Sequence, residues 1–362
     1  MAVRSTAGPS SHQSLRDCAY SIHLYSVESR GMIENLWWSV LGAGLSRSLA
    51  GAKFWDPGAG GHAVSEFEQW CPFLACRIRQ IRRSIGQDGE ARFRVDLIRN
   101  KGGFMKLTEN TILVTGGGSG IGLALAQEFR KLGNEVIVSN RSQERLKKAR
   151  AEGFATYEVD MADPASIDAL AKQVVADYPS LNGVIQNAGI MQTENLQAGN
   201  SQQVQNDTIA INLLGPMRLN SALVPHFLKR DRAFIMTVSS GLAFLPAAMF
   251  PTYSATKAAI HSYSQSLRYQ LKDTSIVVQE LAPPYVQTTL TGEHQASDPN
   301  AMPLAEFVAE VMSILKNKPE AREILVERVD FLRSAESKGV DAYYDFFNSF
   351  NDQMTSAMAG AV

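Results

Sequence analysis

From Thr111 onward the chain alternates two hydrophobic patterns. Short runs rich in Val, Ile and Leu read as strands buried on both faces, and each is followed by a stretch with helical spacing. Thr111–Thr115 is the first such run. Leu123–Leu132 then reads as a helix closed by Gly133. Glu135–Ser139 and Thr156–Asp160 are the second and third strands, with a helix over Gln143–Ala151 between them. Pro164 suits the first turn of the next helix. Gly183–Gln186 predicts a fourth strand, and residues 201–229 a long helix bent near Gly215 and Pro216. Arg232–Val238, Ser275–Leu281 and Glu323–Glu327 bring the strands to seven, with a helix over Tyr253–Lys272 between the fifth and sixth. The tail beyond Phe331 is helical, with Tyr343, Phe346, Phe347 and Phe350 on one apolar face and a frayed end over Thr355–Val362. The alternation predicts an α/β fold: one doubly wound parallel sheet with helices on both faces and ligands beyond the C-terminal strand ends.

Residues 1–104 show no such period. Composition breaks at the same place. All three cysteines (Cys18, Cys71, Cys76) and all four tryptophans precede Met105. So do 13 basic against 9 acidic residues, whereas 22 against 27 follow it. The best apolar stretch there, Leu36–Leu45, is too short to span a bilayer, which needs about 20 residues. No secretory pattern opens the chain. The cysteines lack the paired spacing of a zinc site, so no metal is expected. The run Arg77, Arg79, Arg82, Arg83 reads as a solvated charge run. The segment is expected to be a disordered or spurious extension, with Asn100–Phe104 a translated ribosome-binding site and Met105 the natural start; a regulatory arm is the alternative. The expected organisation is then a catalytic domain over residues 105–330 and a helical tail over 331–362.

Candidate chemistry begins right after the first strand. Gly116, Gly117, Gly118, Ser119, Gly120, Ile121 and Gly122 join it to a helix. Glycines let the backbone turn tightly beside a pyrophosphate, and the helix N-terminus offers N–H groups to the anion. The pattern is Gly116-x-x-x-Gly120-x-Gly122; Leu123 stands where the last glycine of G-x-G-x-x-G would fall. Far downstream, Tyr253 and Lys257 are four residues apart on a helix and share a face. Ser240 precedes the tyrosine by thirteen residues.

Taken in order, Gly116-x-x-x-Gly120-Ile121-Gly122, Asn187-Ala188-Gly189, Asn212, Ser240 and Tyr253-x-x-x-Lys257 resemble the short-chain dehydrogenase/reductase family. The likeness runs from about Leu107 to at least Val326. Leu281–Thr288 and the tail resemble, more narrowly, the bacterial oxidoreductases named for the D-alanyl-teichoic acid gene cluster. The resemblance implies a Rossmann-type sheet and hydride transfer between a nicotinamide and a carbonyl or alcohol. It implies that Tyr253 is general acid in reduction and base in oxidation, and that Lys257 holds the nicotinamide ribose. Ser240 would hold the substrate oxygen, and Asn212 a water beneath Lys257. Asp160 and Met161 would lie beside the adenine, Asn187, Ala188 and Gly189 beside the ribose, and Val286 and Thr288 beside the nicotinamide amide. A nearby Lys257 ammonium is expected to lower the Tyr253 pKa from its usual value near 10.

Asn140 and Arg141 end the second strand, where NAD-binding members carry Asp. Losing the carboxylate removes repulsion of a 2′-phosphate and Arg141 adds a cation, so NADP(H) is favoured and NAD(H) is the alternative. The family's Pro-Gly after the sixth strand is Pro283-Pro284 here, which predicts a stiffer nicotinamide-side loop. The polar stretch from about Thr289 to Met302 reads as a mobile lid. Leu242, Phe244, Leu245, Met249 and Phe250 form either an apolar substrate wall or packing. The negative balance after Met105 disfavours nucleic-acid partners, and no membrane partner is expected. The expected setting is cytoplasmic and bacterial, the expected assembly a homodimer or homotetramer. A non-catalytic NADP(H) sensor or scaffold is the alternative function.

Overall fold

Residues 104–359 are described by the structure, a computed structural model. The expectation for the N-terminal segment falls outside them. The sheet has seven strands in the order β3-β2-β1-β4-β5-β6-β7. They are β1 (Thr111–Thr115), β2 (Glu135–Asn140), β3 (Ala155–Glu158), β4 (Gly183–Gln186), β5 (Ala233–Val238), β6 (Ile276–Leu281) and β7 (Glu323–Ile324). Every neighbouring pair is parallel. The helices are α1 (Gly120–Lys131), α2 (Gln143–Ala151), α3 (Pro164–Asp177), α4 (Gln202–Ile209), α5 (Gly215–Phe227), α6 (Pro251–Gln270), α7 (Glu293–Ala296), α8 (Leu304–Asn317), α9 (Asp330–Arg333) and α10 (Val340–Ala359).

Side chains alternate across a strand, and that period sorts the core into two layers. Ile112, Val114, Val136, Val138 and Met236 pack on one face with Leu125 and Phe129 of α1 and Phe307 and Val311 of α8. Leu113, Ile137 and Ile235 point the other way, onto Ile167 and Leu170 of α3 and Leu219 and Leu223 of α5. Burying both faces explains why the strands read as unbroken apolar runs.

The boundaries differ from the sequence pattern at several elements: β7, expected over Glu323–Glu327, is only Glu323–Ile324, and α6 is Pro251–Gln270 rather than Tyr253–Lys272, while four further differences lie nearer the cavity. First, α1 starts at Gly120 rather than Leu123, because Ser119 is still extended (φ −166°) and the last two glycines form the first helical turn. Second, β3 ends at Glu158: beyond it the chain turns, with the Ala162 N–H donating to Asp160 Oδ1 at 2.9 Å. Third, the long helix over 201–229 is α4 and α5 joined by a π-helical turn, Ala210–Leu214. There Gly215 packs so closely on Met161 that a Cβ would stand 2.7 Å from the Met161 carbonyl oxygen. Fourth, the polar stretch over 289–302 is anchored. It contains α7, and Met302 pairs with the loop after β6, its N–H donating to Tyr285 O at 2.8 Å. Gln295 is buried there and donates to Val286 O (2.7 Å) and Thr288 Oγ1 (3.1 Å). The loop carrying Pro283 and Pro284 is therefore held from both sides. The tail helix continues through Ala359, past the expected fraying point.

Candidate active site

Strand order reverses between β1 and β4, and the crevice beyond their C-terminal ends is the default ligand site of such a sheet. A cavity of about 430 Å³ opens there. Its floor is the glycine turn. Gly116 has φ +65°, which favours glycine, and a Cβ on it would meet Ala188 Cα at 2.8 Å. Gly122 does not line the cavity. It packs behind it, where a Cβ would meet Asn187 Nδ2 at 2.4 Å, so α1 seats directly on the loop after β4. That loop is fixed in turn by Asn187 Nδ2, which donates to Thr115 O and Gly116 O (both 3.3 Å), and by the Ala188 N–H, which donates to Thr115 Oγ1 (3.2 Å).

No side chain caps α1, and no acidic residue sits in its first turn. Such an end is suited to an anion, so the turn fits a dinucleotide pyrophosphate. Asn140, Arg141, Asp160 and Met161 line the same cavity. Asn140 Oδ1 accepts from the Ser142 N–H at 2.9 Å, which shapes the turn into α2. Arg145 lines the cavity too, and its Cβ would stand 2.9 Å from a Cβ on Gly118. Sequence reasoning missed Arg145. The signal was available: it is a cation in the first turn of α2, where the helix dipole disfavours positive charge.

At the other end of the cavity lie Ser240, Tyr253 and Lys257. Ser240 caps the turn Gly241–Ala243 and accepts from the Leu242 N–H at 3.2 Å, which leaves its hydroxyl proton to donate. Tyr253 and Lys257 lie one helical turn apart on α6, both buried, with Lys257 Nζ 5.5 Å from the tyrosine ring centre. Lys257 donates to Val238 O at 2.8 Å, tying α6 to the end of β5.

The expected lowering of the tyrosine pKa is not what the structure gives. Burial pushes Tyr253 up to about 12, and the opposing pull comes from the Ser240 hydroxyl. Burial also pushes Lys257 down to about 8, against the attraction of Glu280. The cause is common to both: each sits in a desolvated pocket that disfavours its charged form.

Asn212 lies behind the cavity wall in the π-helical turn, almost fully buried. Its Oδ1 accepts from the Ile190 N–H (2.9 Å) and its Nδ2 donates to Ile190 O (2.8 Å). A Cβ on neighbouring Gly189 would stand 3.3 Å from Asn212 Oδ1 and 3.8 Å from Lys257 Nζ. Asn212 thus anchors the loop after β4 beside Lys257. Single-turn π segments recur at functional sites. Pro283, Val286 and Thr288 line the same cavity. The apolar group around Tyr253 divides: Phe250 packs with it directly, joined by Leu242, Met249 and Met191 and by Phe350 and Met354 of α10. Leu245 belongs to a separate cluster under the tail.

The site and sheet are those of one enzyme class. The family model described as short chain dehydrogenase matches residues 110–299, and the chain belongs to that family of NAD(P)-dependent oxidoreductases. Within it, the chain is similar to the uncharacterized oxidoreductase DltE of Bacillus subtilis (strain 168). The two are 40% identical over 251 residues, spanning 68% of this chain and 99% of the relative. The fold is shared with a short-chain dehydrogenase from Sphingobium yanoikuyae in complex with NADPH, with TM-score 0.55 and 24% identity over 68% of this chain and 95% of that one. It is shared too with one from Burkholderia phymatum in complex with NAD, with TM-score 0.58 and 17% identity over 65% and 95%. Among the described residues no helix is long and apolar enough to cross a membrane.

Proposed function

We propose that the protein is an NADP(H)-dependent oxidoreductase that interconverts a small-molecule carbonyl and its alcohol, with Tyr253 as the proton-transfer residue. The observation that carries this reading is the convergence of Ser240, Tyr253 and Lys257 in one buried corner of a cavity floored by the glycine turn. The nicotinamide supplies or takes the hydride when bound, and the protein supplies proton and geometry. In reduction, the Ser240 hydroxyl donates to the carbonyl oxygen and orients it. The Tyr253 Oη proton moves to that oxygen as it gains negative charge, leaving a phenolate. Lys257, mostly ammonium at pH 7 with its pKa near 8, stabilises that phenolate. In oxidation the same proton returns to Tyr253 from the alcohol. A phenol held near 12 keeps its proton at neutral pH, which favours reduction there and predicts that oxidation gains as pH rises. Asn212 keeps the loop after β4 against Lys257 and, by resemblance, holds a water beneath it.

The preference for NADP(H) rests on two guanidinium groups, Arg141 and Arg145, on the same cavity wall and on Asn140 in place of a carboxylate. The family resemblance also supports a homodimer or homotetramer, which sedimentation would measure. The test of the function is a panel of carbonyls and alcohols followed by NADPH and NADH absorbance. Turnover with NADPH on at least one carbonyl is expected. Failure across a broad panel by protein that binds NADPH would count against it.

A further inference from the structure

Glu280 has no solvent exposure at all, although it sits on β6, one strand in from the β7 edge of the sheet. An isolated buried carboxylate is strongly disfavoured, so what surrounds it is informative. Both oxygens are used. Ser239 Oγ–H donates to Oε1 at 2.5 Å, and His261 Nδ1 lies 2.8 Å from Oε2. Gln265 Nε2 lies 3.0 Å from His261 Nε2. With the Gln265 amide donating, the ring carries its proton on Nδ1 and donates it to Glu280. The chain Gln265→His261→Glu280←Ser239 is then consistent in every donor and acceptor. Glu280 is paired in register with Thr237, and the Ser239 N–H donates to Leu281 O at 2.9 Å.

These contacts converge on the candidate active site. Ser239 directly precedes Ser240, and Val238, which directly precedes Ser239, accepts the hydrogen bond from Lys257 Nζ. Lys257 and His261 are four residues apart, on one face of α6. The other charged groups whose fields meet at Glu280 are Arg268 of α6 and Arg333 of α9, the latter paired with Glu323 of β7 at 2.6 Å. The attraction of Glu280 for Lys257 opposes the downward push of burial on that ammonium.

Building on the proposed function, we propose that Glu280 is a positioning residue. Its carboxylate, clamped by His261, fixes the Ser239–Ser240 backbone at the end of β5 and supplies the buried counter-charge for Lys257. Sequence motifs give no sign of it, since Glu280 lies outside all of them.

Two variants separate the two parts of the role. Glu280→Gln removes the charge and keeps the shape, with the His261 tautomer free to adapt. Ser239→Ala cuts the link to β5 and leaves the charge. The first readout needs no cofactor or substrate: titration of Lys257 by NMR in lysine-labelled, ligand-free protein, assigned with Lys257→Arg. Glu280→Gln should lower the Lys257 midpoint by about one pH unit, and Glu280→Asp, which keeps the charge but withdraws it, should lower it by a smaller, still resolvable amount. Ser239→Ala should leave it in place. An unmoved midpoint in folded Glu280→Gln overturns the counter-charge role. Should Glu280→Gln not fold, an unmoved midpoint in Glu280→Asp, where the charge is withdrawn by one methylene, overturns it instead. The second readout is steady-state kinetics. Ser239→Ala should lower kcat by about tenfold or more with KM for NADPH unchanged, and an unchanged kcat overturns the positioning role. An enzyme inactive on every carbonyl, with the Lys257 midpoint still shifted, would sink the proposed function and leave the counter-charge standing.

Discussion

Lys257 carries a stability cost at the place where the proposed chemistry needs its charge. Its ammonium is buried, and burial brings its pKa from 10.5 to about 8. The unfolded chain therefore binds more protons than the folded one between about pH 8 and 10.5, and this group's contribution to stability rises with pH across that window. Tyr253 acts in the opposite sense: its pKa rises from 10 to about 12, so the folded state holds the extra proton and stability falls with pH through that range. At pH 7 the buried ammonium costs about 3 kcal/mol, against about 1 kcal/mol returned by its hydrogen bond to Val238. Lys257→Met should thus stabilise the fold at pH 7 by about 2 kcal/mol while abolishing turnover, and a denaturant melt measures it. A destabilised Lys257→Met would contradict the account of the pocket. Arg141 and Arg145 carry a second prediction at this scale. Replacing both with Ala should weaken NADPH by about 2 kcal/mol or more relative to NADH, as loss of charge-assisted phosphate contacts requires. Equal weakening of both cofactors, read by fluorescence titration, would place the guanidiniums away from the 2′-phosphate.

Among the elements, α10 has the clearest unforeseen part. Asn351 Oδ1 accepts from the Ala248 N–H (2.6 Å), and its Nδ2 donates to Pro246 O (3.2 Å). Phe350 and Met354 reach the apolar cluster around Tyr253. The tail thereby supports the loop that leads into α6. Asn351→Ala should raise KM for the carbonyl severalfold with KM for NADPH unchanged; equal change in both would refute a local effect. The periodicity of Tyr343, Phe346, Phe347 and Phe350 predicted the helix and its apolar face, but a pattern of 3.6 residues cannot say what the face covers. The same limit appears elsewhere. The β-branched runs of β1, β2, β5 and β6 were legible because both faces are buried. The π turn at Asn212 was not: nothing in its spacing marks it, and beside it Gly215 meets Met161, 54 positions away in the chain. The Gln295 anchor was equally silent, being one polar residue in a polar stretch. Glycine turn, Ser240, Tyr253 and Lys257 were readable because their chemistry fixes residue type and spacing. The direction of the tyrosine shift was not, because desolvation depends on packing that spacing does not encode.

At the scale of the molecule, a parallel sheet that reverses its order between β1 and β4 creates one crevice, and every candidate group meets it or backs it. Its two ends have different physics. The glycine-turn end is open to anions, with an uncapped helix terminus and two guanidinium groups. The Tyr253 end is buried, and burial raises the phenol and lowers the ammonium. In the function proposed above, the buried end transfers a proton and the anion-binding end does not depend on it. The most direct test measures NADPH affinity and turnover side by side in the wild type and Tyr253→Phe. Turnover should fall by about 10²–10⁴-fold, with NADPH affinity unchanged within a factor of about three. Tyr253→Phe that turns over like the wild type would contradict that function.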